Sequence, residues 1–160
     1  LHKSFPNAEI IGVDLSAQML AVGKFQLETR DELRTANRAI KFIHSAGENT
    51  GLDNNKIDMV SMCLIAHELR QTATCDIFRE THRILRGGGV ITIMDIDPQS
   101  QFFQEFVSNP FAFTAFKSTE PYIQEYVSLD IVTLLRECGF KNVQVRSNSP
   151  RHRTIVAYKD

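Results

Sequence analysis

The chain has 160 residues, of which 42% are hydrophobic, and its 18 Lys and Arg against 19 Asp and Glu give a formal net charge of −1 at pH 7. This length and composition are typical of one globular domain with a substantial core. The balanced charge provides no general attraction to nucleic acid or anionic membranes, and no segment approaches the roughly 18 apolar residues of a membrane span. We therefore expect a protein that binds neither. Its scattered cysteines predict an intracellular location, in the cytoplasm or, as the alternative, in an organelle.

The three cysteines, Cys63, Cys75 and Cys138, are scattered and form no Cys-x-x-Cys pair. An odd, dispersed set predicts reduced thiols rather than a disulfide framework. Cys63 and His67 lack two further ligands at suitable spacing, so the sequence predicts no metal site.

The first predicted strand begins near residue 8 and ends on the carboxylate of Asp14. At the C-terminal edge of a parallel strand, a carboxylate can accept hydrogen bonds from both hydroxyls of a ribose. The alternative is that Asp14 only helps to cap the next helix, beside Ser16. That helix is predicted to extend to about Arg38, and close packing is expected to explain Gly23 inside it. Its apolar stripe consists of Met19, Leu20, Gly23, Leu27 and Leu33.

Three further strands are predicted in the middle of the chain. Ile40–Ile43 is short, whereas Ile57–Cys63 is an apolar run typical of a strand buried on both faces. The third strand, Val90–Ile96, follows glycines 87–89, which are expected to stop the preceding helix. A strand, a helix and a strand with short joints predict a parallel βαβ crossover.

Chemically useful side chains follow two of these strands. His67 and Glu68 lie in the turn after Ile57–Cys63, before a helix predicted to be capped by Thr72 or Thr74. A histidine has a pKa suited to proton transfer near neutral pH. This turn therefore contains a candidate general base.

Asp95 and Asp97 close the third strand, at the edge where α/β sheets bind ligands. The alternative is that Asp97 and Pro98 only begin a turn. Residues 99–126 form the least regular segment, and their aromatic side chains suit either a lid over an apolar or ring-containing small molecule or ordinary core packing. These side chains are Phe102, Phe103, Phe106, Phe111, Phe113, Phe116, Tyr122 and Tyr126.

The C-terminal part is predicted to form a helix at Leu129–Cys138 and two antiparallel strands at 140–145 and 154–158. The turn between the strands carries the basic cluster Arg151, His152 and Arg153. We expect a solvated turn, and the alternative is a contact with an anion or substrate.

Three motifs in the centre of the chain, taken in order, resemble the fourth and fifth motif regions of class I S-adenosylmethionine-dependent methyltransferases. They are IDMV at 57–60, HEL at 67–69 and FRETHRILRGGG at 78–89. The family form is F-D-x-V, an H-x-L turn and a helix ending in R-x-L-x-P-G-G, and Gly87 stands here where proline is common. The segment from Pro6 to Ser16 is similar to the family's second-strand motif.

The resemblance implies an α/β, Rossmann-like fold with a mostly parallel sheet and an antiparallel C-terminal hairpin. It implies S-adenosylmethionine as cofactor, with Asp14 on the ribose and Leu15 on the adenine. The usual acid that bonds the adenine amino group is replaced by Ala46, so backbone groups of Ala46 and Gly47, or the Glu48 carboxylate, would substitute. The remaining site residues that it implies are Cys63 for the cofactor and Asp95, Asp97 and Tyr122 for the substrate.

The family's opening strand and its Gly-x-Gly-x-Gly loop have no counterpart in these 160 residues. We therefore expect an incomplete methyltransferase domain over residues 1–160, with a substrate lid at 99–127. Two strand edges would face each other with unpaired backbone groups, so an isolated monomer would be poorly stable and would bind cofactor weakly. The sequence is then a fragment of a longer polypeptide, or a second chain or segment completes the sheet.

The first functional hypothesis is methyl transfer to a small molecule, without a role for nucleic acid or membrane. His67 is the candidate base, with Glu68, Asp95 and Asp97 as alternatives. The competing role for His67 is structural, either packing against cofactor or capping the next helix.

Two other function classes remain open. A non-catalytic methyltransferase-like interaction or regulatory module fits the missing glycine loop and Ala46. A nicotinamide-dependent dehydrogenase fits Asp14 but lacks its own glycine fingerprint, and the closing antiparallel strands fit it less well.

Overall fold

The computed structural model describes residue 1 and residues 4–30 and 40–160. The chain divides into two compact units, Leu1–Gly51 and Leu52–Asp160. No helix in the described part is long and apolar enough to cross a membrane.

The first unit is a parallel βαβ arrangement. Strand β1 (Ile10–Asp14) pairs in parallel with β2 (Ile40–His44), and helix α1 (Ala17–Thr29) lies between them in sequence. Ser16 caps α1, since its hydroxyl accepts a hydrogen bond from the backbone N–H of Met19 at 3.3 Å. Helix α1 ends at Thr29, because Arg30 is extended. The rest of the predicted helix, residues 31–38 with Leu33, lies outside the described residues.

The packing of this unit explains its two glycines. A Cβ on Gly12 would lie 2.8 Å from the Phe42 ring, and a Cβ on Gly23 would lie 2.9 Å from the same ring. The aromatic ring thus occupies the space that side chains on β1 and α1 would fill. The close packing expected at Gly23 is confirmed.

The second unit contains a four-stranded mixed sheet in the order β3-β4-β6-β5. Strand β3 pairs in parallel with β4, and β6 pairs antiparallel with both β4 and β5. The antiparallel C-terminal hairpin is confirmed. The strands are β3 (Ile57–Cys63), β4 (Leu85–Ile96), β5 (Lys141–Ser147) and β6 (His152–Tyr158).

Five helices complete the described part of this unit. They are α2 (Gln71–Ile84), α3 (Gln101–Ser108), α4 (Pro110–Thr119), α5 (Ile123–Ser128) and α6 (Ile131–Glu137). Three of them occupy the segment that was expected to be irregular, which is therefore regular. Its aromatic side chains differ in burial: Phe103 and Tyr126 lie in the core, whereas Phe111 is 86% exposed.

Both ends of α2 differ from the prediction. Neither Thr72 nor Thr74 caps it; instead, Glu125 of α5 accepts a hydrogen bond from the backbone N–H of Gln71 at 2.9 Å. The helix ends before the glycines, which belong to β4. The Lys159 ammonium donates to the carbonyl groups of His82 and Leu85 at 2.6 and 2.8 Å, and a cation suits this helix end.

Strand β3 was expected to be buried on both faces, which is wrong. Only Met62 is fully buried, because β3 lies at the edge of its sheet and pairs with β4 alone among the described strands. Strand β1 likewise pairs only with β2 in the described part of its unit. Each unit therefore presents a parallel strand with an unpaired edge.

Candidate active site

A histidine–aspartate pair lies where β3 and β4 end. His67 is in a one-turn 3₁₀ helix (Ala66–Glu68) directly after β3, and Asp95 is next to last in β4. The Nδ1 atom of His67 and the Oδ1 atom of Asp95 are 2.6 Å apart. His67 is 8% exposed and Asp95 is 1% exposed. The sequence predicted both residues separately, and the structure brings them together.

Both oxygens of the Asp95 carboxylate are hydrogen-bonded. Its Oδ2 atom accepts the backbone N–H of Ala66 at 2.8 Å, and its Oδ1 atom accepts the backbone N–H of Ile96 at 2.7 Å as well as the His67 contact. Burying a carboxylate is costly unless such partners replace the lost water. These bonds hold the carboxylate in place, so Asp95 serves as an anchor for the imidazole.

The ionisation of His67 follows from this anchor. The hydrogen bond to Asp95 raises the pKa of His67 above 6.5, and the charges of Asp95, Glu120 and Glu68 act in the same direction, while burial opposes them. An ionised carboxylate only accepts hydrogen bonds, so Nδ1 carries the proton of the neutral imidazole. The lone pair is then on Nε2, which lies 4.0 Å from the Glu68 carboxylate.

Tyr126 of α5 closes one side of the pair. Its ring meets the His67 ring edge-on at a centroid distance of 6.2 Å, and its hydroxyl donates to the carbonyl oxygen of Ile96 at 2.6 Å. Burial raises the pKa of Tyr126 far above its ordinary value. The phenol is therefore neutral near pH 7, and its proton is committed to the backbone.

Arg153 lies beside Tyr126, at the beginning of β6. Its register partner on β4 is Asp95. The charge of Arg153 and a hydrogen bond from its guanidinium both oppose the rise in the pKa of Tyr126, so the guanidinium lies beside the phenol. The Nε atom of Arg153 is buried and has no hydrogen-bond partner among the described residues.

The residues between β3 and His67 form an apolar rim. Leu64 has a left-handed backbone with φ of 54°, a conformation that leucine rarely adopts. It is 40% exposed, as Ile65 is at 45%, and Cys63 is exposed with a free thiol. The backbone N–H of Leu64 donates to the carbonyl oxygen of Met94 at 2.8 Å, which fixes the turn. The rim offers apolar surface next to the base.

Acidic groups surround His67 on its outer side. One possible ligand atom from each of His67, Glu68 and Glu120 lies within 4.8 Å of the other two, the kind of spacing in which a cation can bind. The Glu68 side chain is 62% exposed, however, and a solvated carboxylate needs no metal. We assign these carboxylates the electrostatic role seen in the raised pKa of His67.

The first unit contains the other predicted carboxylate. Asp14 is half-buried, and its Oδ1 atom accepts the backbone N–H of Ser16 at 2.8 Å, so it does take part in the start of α1. Within the described residues its Oδ2 atom has no hydrogen bond. Leu15 and Met19 beside it are 70% and 59% exposed. A half-exposed carboxylate next to exposed apolar side chains fits the ribose and adenine of a nucleoside.

The turn after β2 contributes backbone groups. Ala46 and Gly47 are half-buried, and Glu48 is exposed. The backbone N–H of Ser45 donates to the Asp14 carbonyl at 3.2 Å, which ties this turn to the end of β1. Ala46 and Gly47 therefore lie at the same strand ends as Asp14.

The predicted substrate residues Asp97 and Tyr122 have other partners. Asp97 begins a turn, because its Oδ1 atom accepts the backbone N–H of Gln99 at 3.0 Å, and it also borders an open cleft of about 430 Å³ next to Phe102. The Tyr122 hydroxyl accepts a hydrogen bond from Nε of Arg70 at 3.1 Å. Neither side chain is hydrogen-bonded to His67 or Asp95 in the described structure.

Sequence reasoning missed two residues of this site. Tyr126 was one of eight aromatic residues with nothing to distinguish it, and Arg153 was one member of a basic turn. The only available signal was register: an antiparallel strand that pairs with β4 places one of its first residues opposite Asp95.

Comparison with known proteins agrees with the geometry. The sequence profile of a family described as a methyltransferase domain matches residues 1–93. A demethylmenaquinone methyltransferase from Staphylococcus saprophyticus is 29% identical over 155 residues, covering 87% of this chain and 62% of the relative. One from Geobacillus sp. is 24% identical over 157 residues, covering 89% of this chain and 64% of the relative. The chain thus spans less than two thirds of the length of these relatives.

Solved structures show the same fold. A putative O-methyltransferase from Nostoc punctiforme aligns with a TM-score of 0.73 at 23% identity, covering 99% of this chain and 47% of that one. Phosphoethanolamine N-methyltransferase 2 from Haemonchus contortus, solved with S-adenosyl-L-methionine, aligns with a TM-score of 0.69 at 16% identity, covering 99% and 44%. The chain belongs to the class I S-adenosylmethionine-dependent methyltransferases, and S-adenosylmethionine is its cofactor.

Proposed function

We propose that the chain provides the general base of a methyltransferase whose acceptor is a small molecule with a hydroxyl group. The observation that supports this most strongly is the 2.6 Å contact between His67 and Asp95. A positioned base is useful only when the nucleophile must lose a proton, as a phenol or hydroquinone hydroxyl must. One structural neighbour is titled a putative O-methyltransferase, in line with a hydroxyl acceptor. The sequence relatives are named for demethylmenaquinone, which is in line with a ring-containing small molecule.

S-adenosylmethionine supplies an electrophilic methyl carbon on a positively charged sulfur. The chain's part is to present the acceptor oxygen in line with that carbon and to take its proton. When the acceptor oxygen takes the methyl group, its hydroxyl proton would move to Nε2 of His67. Asp95 fixes the imidazole orientation and stabilises the imidazolium that results, while Leu64 and Ile65 exclude water from this side.

For the cofactor, we propose that Asp14 binds the ribose and Leu15 contacts the adenine. Backbone groups of Ala46 and Gly47 would read the adenine edge, because Ala46 has no carboxylate. For Cys63, the last residue of β3, we propose a further contact with the cofactor. We place Asp97 and Tyr122 around the acceptor rather than at the reacting oxygen, because both are engaged in other hydrogen bonds.

The test is His67→Gln, which keeps a polar side chain of similar size but cannot take a proton. We expect turnover of a phenolic acceptor to fall by about 100-fold to 10,000-fold, the usual contribution of a general base. His152→Gln is the matched control, since His152 binds Ser149 in the hairpin turn and should leave turnover unchanged. Unchanged turnover in His67→Gln would exclude the catalytic role.

A non-catalytic, methyltransferase-like module is the second candidate, and the observation that favours it is the alanine at position 46. Titration with S-adenosylhomocysteine separates the two functions. If the chain is an interaction module, S-adenosylhomocysteine should not bind even when an upstream strand and glycine loop are supplied. If it is an enzyme, the ligand should bind, and binding should depend on Asp14.

A further inference from the structure

The strongest unexplained feature of the second unit is the guanidinium of Arg153. Its Nε atom is the one buried side-chain nitrogen or oxygen in the described residues that lacks a hydrogen-bond partner. A buried, unpaired donor costs free energy, and more so when it belongs to a charged group. Such an atom calls for a partner that the fold itself does not provide.

The groups next to Arg153 satisfy only part of its guanidinium. Asp95 is its register partner, but that carboxylate accepts hydrogen bonds from Ala66, Ile96 and His67. The Tyr126 hydroxyl donates to the Ile96 carbonyl oxygen at 2.6 Å, and its oxygen interacts with one donor of the guanidinium, which leaves Nε unpaired. No ion pair joins Arg153 to a carboxylate among the described residues. The guanidinium therefore keeps donors to spare.

The position of Arg153 relates it to the proposed base. Strand β6 is antiparallel to β4, so the beginning of β6 lies beside the end of β4, the edge at which α/β sheets bind ligands. Directly paired residues of an antiparallel ladder point to the same face. Arg153 and Asp95 therefore share a face, and Asp95 carries His67.

We propose that Arg153 is an acceptor-binding residue that takes an anionic oxygen group, a carboxylate or a phosphate, on the methyl acceptor. This inference rests on the proposed function, which places the acceptor hydroxyl at His67. The Nε and one Nη atom of a guanidinium form a parallel pair of donors that matches two oxygens of such a group. Because Nε is buried in the unliganded fold, the guanidinium must turn toward the acceptor for the anion to become the partner that Nε lacks.

The surrounding charges make this contact selective. Glu68 and Glu120 lie on the outer side of His67 and would repel an anionic acceptor in any orientation that brings its charge toward them. Only the orientation with the anion at Arg153 avoids this repulsion. Arg70 and Arg151 are poor substitutes, since Arg70 binds Tyr122 and Arg151 stacks on Phe102 at 4.2 Å.

The experiment measures binding of three phenols in the presence of S-adenosylhomocysteine: 4-hydroxybenzoate, 4-hydroxyphenyl phosphate and uncharged 4-methylphenol. We expect at least one anion to bind about 10-fold or more tightly than 4-methylphenol, and the tighter anion identifies the group. Arg153→Gln should abolish this preference, Arg153→Lys should restore part of it, and Arg151→Gln should preserve it. Equal binding of all three phenols, binding of none, or a preference that survives Arg153→Gln would overturn the proposal.

A structural role for Arg153 predicts something different. Because its Nε forms no hydrogen bond within the fold, Arg153→Gln should leave the melting temperature unchanged or slightly higher, whereas a structural arginine would lower it by several degrees. Binding is measured without turnover, so the two proposals can fail separately. His67→Gln should keep the anion preference even though methyl transfer is lost.

Discussion

Asp14 and Asp95 occupy equivalent places in the two units, each in the last two residues of a parallel strand, but their surroundings differ. Asp95 is 1% exposed and accepts three hydrogen bonds, two of them from backbone N–H groups. Asp14 is half-buried and accepts one. The same strand-end position can therefore hold a carboxylate whose hydrogen bonds are made within the protein, or one that is available to a ligand.

The largest expected difference between the two is in stability. Asp95→Ala should lower the free energy of unfolding by about 3–5 kcal/mol, because it removes one partner of a buried pair and leaves two backbone donors unsatisfied. Asp14→Ala should cost about 1 kcal/mol, the usual value for losing a helix-start hydrogen bond. Urea denaturation of both variants measures this. Equal losses would mean that Asp14 is as structural as Asp95.

For binding of the cofactor product, the substitution of Asp14 should have the larger effect of the two. Asp14→Ala should weaken binding of S-adenosylhomocysteine by about 10-fold to 100-fold, since hydrogen bonds to a charged group contribute about 1.5–3 kcal/mol. Calorimetric titration gives the value, and Glu28→Gln, an exposed carboxylate on α1, is the control for loss of a negative charge in this unit. Unchanged affinity in Asp14→Ala would show that its role ends with capping α1.

The pH dependence of stability distinguishes the pair further. The pKa of His67 is raised above 6.5 by Asp95 on β4 and by Glu120 and Glu68, while Tyr126 on α5 is neutral. A raised folded-state pKa means that its contribution to stability is complete below 6.5 and is lost as the pH rises through the folded value. Unfolding of the wild type should show this loss above pH 6.5, and Asp95→Asn should reduce it. An unchanged profile in Asp95→Asn would contradict the coupling.

A smaller effect tests the packing of α1 and β1, the strand that ends at Asp14, around the Phe42 ring. Gly23→Ala would bring its Cβ to 2.9 Å from the Phe42 ring, so overpacking should outweigh the better helix propensity of alanine and cost about 1 kcal/mol in net stability. In a Phe42→Leu background the same change should be neutral or stabilising. If Gly23→Ala lowers the free energy of unfolding equally in both backgrounds, the packing explanation is wrong.

Local patterns predicted much of this structure. The bounds of β3 and the strand end at Asp14 follow from apolar runs with polar limits, and Ser16 was identified as the cap of α1 from its side chain alone. The ends of α2 were mispredicted because Glu125 and Lys159, which lie far away in sequence, satisfy its terminal backbone groups.

The candidate site was predictable residue by residue but not as an assembly. His67 and Asp95 were identified as candidates from their positions after β3 and at the end of β4. Their contact depends on how the one-turn helix at Ala66 folds back onto β4, and the Ala66 N–H bond to Asp95 is what fixes it. Tyr126 and Arg153 reach the site only through tertiary packing.

The pH dependence of methyl transfer shows whether Asp95 makes His67 the base. A base must be neutral to act, so the rate should rise with pH to a plateau whose midpoint lies above 6.5 in the wild type. Asp95→Asn should move the midpoint to lower pH and lower the plateau, because the imidazole loses both its charge partner and its fixed orientation. A rate that is independent of pH around this range, or a midpoint unaffected by Asp95→Asn, would contradict the account.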